Sequence, residues 1–89
     1  MTALKNEINQ LRKKIDEIDQ KILDCISQRM QTVSLLSEKK HKAKLPIYDA
    51  LREKELKKLW SSKASEHQLD INHTYRILNE LLEMSKKIQ

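Results

Sequence analysis

The chain contains no glycine and no phenylalanine, one proline (Pro46) and one cysteine (Cys25) in 89 residues. Sheets need tight turns, and tight turns draw on Gly, Asn-Gly or Pro. All-β and α/β architectures therefore have little support, and an all-α fold is expected. A lone cysteine cannot close an intrachain disulfide. It cannot build a structural zinc site with His41, His67 and His73 either, because these show no metal-like pairing. Cys25 is expected to pack as a small apolar residue, since nothing beside it marks a nucleophile. No apolar run follows Met1 as a secretion signal would, and none approaches membrane-spanning length. The expected compartment is the cytoplasm, with no membrane partner. The chain has no glycine-rich phosphate loop and no Ser-His-Asp or Cys-His pattern. An enzyme built from it would work without a nucleophile.

What the chain has in quantity is Leu, Ile, Lys, Glu and Gln. Its length allows a single domain, residues 1–89. The formal charge is +5 with a pI near 9.4. That balance favours anionic partners without choosing between a nucleic acid and a small acid. Leu4, Ile8, Leu11, Ile15, Ile18, Ile22 and Cys25 step by 4 and 3, a heptad-like seam. Beyond it the period relaxes toward 3.6 through Ile26, Arg29, Val33, Leu36 and Lys40. No breaker precedes Pro46, and the residue before a proline avoids helical angles. The spacing thus predicts a first helix ending near Lys42, on the order of 55 Å long.

Residues 43–48 read as a loop. Asp49 is a good N-cap for a second helix running to about Lys63, with Glu53, Leu56 and Trp60 inward and Arg52 and Leu59 beside them. The polar stretch from Ser61 to Leu69 reads as a connector. Asp70 can cap a third helix whose Ile71, Tyr75, Leu78, Leu82, Ser85 and Gln89 lie within about 40° of one line. Trp60 and Tyr75 are expected in the core. A 55 Å helix is far longer than a globular chain of this size is wide, since its radius of gyration would be roughly 12 Å. The economical arrangement is a homodimer in which the long helices pair and the short ones wrap around both; a free coiled coil is the rival.

The stripe on the first helix carries the functional signal. Arg29 and Lys40 fall within roughly 20° of each other and about 16 Å apart along the axis, on a line otherwise apolar. A buried charge costs several kcal/mol unless an opposite charge meets it. Either both side chains snorkel to water, or the stripe lines a pocket for an anion. Glu53 leads an apolar stripe and can face the same way, with Arg52 beside it. Ser85 and Gln89 end the third stripe with hydrogen-bonding side chains. Arg12 lies about 100° from the Arg29 line, so it cannot easily serve the same pocket within one chain, but a partner chain can present it.

The ordered pattern Leu11-Arg12-x-x-Ile15-Asp16-x-x-Asp19, Arg29, Lys40, Pro46-Ile47-Tyr48-Asp49-x-x-Arg52-Glu53 and Ser85-x-x-x-Gln89 resembles the all-helical, type II class of chorismate mutases. The resemblance spans nearly the whole chain. It implies three helices in an intertwined homodimer with two equivalent sites. The implied reaction is the Claisen rearrangement of chorismate to prephenate, in phenylalanine and tyrosine biosynthesis, with no cofactor or metal. By position, Arg29 would grip one substrate carboxylate, and Arg12 of the other subunit would grip the second. Lys40 and Gln89 would donate to the ether oxygen. Glu53 and the backbone near Asp49 would hold the ring hydroxyl, and Arg52 and Ser85 would complete the wall. Two other functions stay in view. One is an isochorismate pyruvate lyase on the same fold, against which the Asp49-x-x-Arg52-Glu53 segment looks more like the mutases. The other is a basic helical module binding nucleic acid or a partner helix, against which no helix-turn-helix or basic-zipper pattern is visible.

Overall fold

A computed structural model describes residues 2–89. Three helices follow one another: α1 (Thr2–Ala43), α2 (Ala50–Glu66) and α3 (Ile71–Ile88). Both expected N-caps form. Asp49 Oδ1 accepts from the Arg52 N–H at 3.0 Å, and Asp70 Oδ1 accepts from the His73 N–H at 2.9 Å. Each satisfies one of the N–H groups that a helix start leaves without an internal partner.

The helix ends explain the one boundary that the sequence misplaced. α2 runs to Glu66, past the expected Lys63, so the connector shrinks to residues 67–70. The ends of α1 and α2 share one geometry. Leu45 N–H reaches back to the Lys40 carbonyl at 2.9 Å while Lys44 takes φ 57°. Leu69 N–H reaches the Ala64 carbonyl at 2.8 Å while Gln68 takes φ 57°. Both are Schellman turns with a leucine just beyond the left-handed residue. Glycine usually fills that residue because it has no Cβ to clash. This chain has none, so the stop signal that ends α2 is invisible in the sequence. Gln68→Gly should therefore raise stability by about 0.5–1 kcal/mol, the left-handed strain removed less the added chain entropy. Equilibrium urea unfolding checks this, and an unchanged or lower midpoint counts against the strain argument.

α3 packs against both α1 and α2. Its inner line is the expected one in Leu78 and Ser85, which are buried, and in Tyr75, Leu82 and Gln89, which are half-buried. Leu81 is buried as well, and Ile71 is not. The Ser61 hydroxyl and the Tyr75 phenol lie 2.8 Å apart and tie α2 to α3. Trp60 and Tyr75 are half-buried rather than enclosed.

Among the described residues, only Ala64, Leu78 and Leu81 form a buried apolar core. The molecule measures 63 × 25 × 17 Å, and α1 supplies the long axis. Leu4, Ile8, Leu11, Ile15, Ile18 and Ile22 stand exposed along the first half of α1. No helix among the described residues is long and apolar enough to cross a membrane.

Candidate active site

One cavity of about 860 Å³ gathers residues from α1, the 44–49 segment, α2 and α3. It is lined by Arg29, Lys40, Asp49, Arg52, Glu53, Ser85 and Gln89, seven of the eight site residues singled out in the sequence. The eighth, Arg12, lies on α1 outside the lining, about 25 Å along the helix from Arg29. It cannot enter this cavity within its own chain.

Arg29 is tied across the fold to α3. Its Nη1 donates to Ser85 Oγ at 2.8 Å, and Ser85 Oγ lies 2.8 Å from the Leu81 carbonyl of its own helix. A serine in mid-helix can return its proton to the carbonyl four residues back. Ser85 is buried, so this chain of contacts fixes where the guanidinium points. Ser85 thus orients Arg29 as well as walling the pocket, a role its position in the sequence did not reveal. Four of the five guanidinium N–H donors remain available. Burial pushes the Arg29 pKa below its usual value, and the positive charge of Arg52 pushes it the same way. Burial and Arg52 thus make the positive charge costlier here than in water, and an anion beside the guanidinium would offset that cost.

Lys40 sits in the last turn of α1, where the helix dipole favours a cation. Its Nζ donates to the Ile47 carbonyl at 2.9 Å, pinning the segment that leads into α2. An ammonium has three donors, so two are left. Glu53 opens α2, its side chain 22% exposed. Its Oε2 lies 3.5 Å from the Tyr48 hydroxyl and its Oε1 lies 3.8 Å from Lys86 Nζ. Arg52 points outward enough to pair with Glu55 at 3.4 Å.

The lining also contains residues to which the sequence assigned no role. Lys86 and Tyr48 are the charged and aromatic ones, and Lys86 Nζ lies 5.9 Å from the Tyr48 ring centroid. Lys86 had only its place after Ser85 as a signal, whereas Tyr48 stands in the Pro46-Ile47-Tyr48-Asp49 run of the pattern above. Cys25 is exposed on the cavity wall rather than packed in a core. The heptad step that suggested packing is real, but nothing in this protomer covers it.

Arg29, Lys40, Arg52 and Lys86 face Asp49 and Glu53, so the lining carries two positive charges in excess. Fixed donors, a cation surplus and walls from Val33, Leu36 and Trp60 make this an all-α pocket for a small organic anion. A family model described as chorismate mutase type II matches residues 11–89, and the chain belongs to that family. A chorismate mutase of Methanocaldococcus jannaschii is 36% identical over 83 residues, covering 93% of this chain and 84% of that protein. A bifunctional chorismate mutase/prephenate dehydratase of Aquifex aeolicus is 34% identical over 92 residues, covering 93% of this chain but 25% of that protein. No solved structure matches the chain.

Proposed function

We propose that this chain rearranges chorismate to prephenate as a homodimer, on the route to phenylalanine and tyrosine. The observation that carries the reading is Arg29, held by buried Ser85 in a cavity with two surplus positive charges. Chorismate is a dicarboxylate, and its rearrangement is pericyclic. It needs no base and no covalent intermediate. The protein has only to hold the dianion folded and stabilise the charge that grows on the ether oxygen. Arg29 supplies a planar fork for one carboxylate. Lys40 and Gln89 donate to the ether oxygen. Glu53 accepts from the ring hydroxyl next to the Asp49 backbone, and Arg52 with Ser85 closes the wall.

The second carboxylate is assigned to the partner's Arg12. The physical support is that the protomer is incomplete: three buried apolar side chains cannot offset the ordering of 88 described residues. An antiparallel pairing of two α1 helices that brings Arg12 level with the opposite Arg29 places the two-fold axis between residues 20 and 21. Ile8 then lies level with Val33, Leu11 with Met30, Ile15 with Ile26 and Ile18 with Leu23. Every one of those pairings is apolar. Leu4, Ile22 and Cys25 fall level with Ser37, Asp19 and Asp16, so the register that brings Arg12 to the site gives apolar partners to four of the seven seam residues.

The test is to incubate the protein with chorismate and identify the product by proton NMR. Catalysed formation of prephenate is expected; chorismate changing only at its spontaneous rate would overturn the reading. Pyruvate released from isochorismate, without mutase activity, would move the assignment to a lyase. A second prediction concerns the trans site. Arg12→Ala and Arg29→Ala chains, each inactive alone, should regain activity after mixing and chain exchange, because each heterodimer has one intact site. No recovery after verified exchange would overturn the placement of Arg12.

A further inference from the structure

We propose that Lys86 is a positioning residue that holds the Glu53 carboxylate for the substrate's ring hydroxyl and keeps it away from the cavity's arginines. The inference rests on the proposed mutase reading. Three elements converge on this carboxylate: Glu53 on α2, Lys86 on α3 and Tyr48 in the segment before α2. Each Glu53 oxygen has one partner, Lys86 Nζ at 3.8 Å from Oε1 and the Tyr48 hydroxyl at 3.5 Å from Oε2. Lys86 is itself held from two sides. Its ammonium lies over the Tyr48 ring at 5.9 Å and pairs with Glu83 at 3.4 Å, one helical turn away. With its side chain 50% exposed, it bridges the cavity to solvent.

A carboxylate has about four acceptor positions, so one hydrogen bond from Tyr48 on Oε2 and one ion pair with Lys86 beside Oε1 leave room for a substrate hydroxyl. The arrangement matters because of what else lines the cavity. A loose Glu53 shares the space with Arg29, Lys40 and Arg52. Turning toward them, it would act as an internal anion competing with the substrate carboxylates. Lys86 draws it toward the rim instead. Lys86 therefore helps substrate binding without touching the substrate's carboxylates, and only while residue 53 is anionic.

A double-mutant cycle reads that condition. Lys86→Ala is expected to lower kcat/KM about fivefold, the size of one partly exposed ion pair, mainly through a higher KM. Lys86→Arg is expected to restore most of the loss. In the Glu53→Gln background, Lys86→Ala is expected to change kcat/KM by less than about twofold. Thermal melts of the four proteins separate this from simple destabilisation, which would act equally in both backgrounds. The inference is overturned if Lys86→Ala has no effect on its own, or if its effect is the same with glutamine at position 53. No turnover by the wild-type chain would overturn the mutase reading itself, and that is seen before any variant is compared.

Discussion

Lys40→Ala is expected to lower kcat by about 10²- to 10³-fold, the usual cost of removing one donor aimed at charge that develops in the transition state. KM should change far less, because the ether oxygen carries little charge in bound chorismate and becomes a strong acceptor only as its bond breaks. The free enzyme tolerates the loss structurally. The Ile47 carbonyl loses its 2.9 Å donor but sits in a partly exposed segment where water can replace it. Lys40→Gln keeps a donor without the charge and should fall between the two. Single-turnover and steady-state kinetics measure this. A kcat within tenfold of wild type for Lys40→Ala would remove Lys40 from the reacting oxygen.

Ile15→Asp is expected to abolish the assembled protein. Ile15 is 55% exposed in the protomer, so a monomer would accept aspartate at almost no cost. In the paired α1 helices the same position lies on the seam. The change would then remove about 2–5 kcal/mol of packing and bury a charge with no partner. A two-fold dimer repeats both penalties. Sedimentation equilibrium and far-ultraviolet circular dichroism should report dissociation with loss of helix. A folded chain of unchanged mass would show that the seam of α1 is not an interface.

Much of this protein can be read along the chain. The absence of any breaker before Pro46 gives α1 its length, and Asp49 and Asp70 mark the starts of α2 and α3. These are local effects acting within a turn or two, so composition and spacing suffice. The end of α2 escaped because its stop is Gln68 in a left-handed conformation, and glutamine does not advertise that geometry. Leu81 escaped because it lies off the six-residue line chosen for α3, and burial there depends on how far round the helix its neighbours reach.

The site divides the same way. Arg29 and Lys40 stand out because two cations on one apolar stripe are costly unless an anion is intended, and that stripe is fixed by the 3.6-residue period. Their partners are not fixed by it. Ser85 meets Arg29 across 56 residues of sequence, and Lys86 meets Glu53 across the α2–α3 pairing. Helical periodicity determines which residues share a face. Which face meets which is set by the angle at which the α2–α3 pair folds back onto α1. That angle rests on the contacts between α1 and α3, which include the Arg29–Ser85 hydrogen bond, while the hydrogen bond between Ser61 and Tyr75 joins α2 to α3. Local periodicity and capping thus account for three helices, their starts and a cationic stripe. That Ser85 aims the arginine and Lys86 reaches the glutamate follows from how the helices pack, because those contacts join residues whose separation in sequence carries no information about their separation in space.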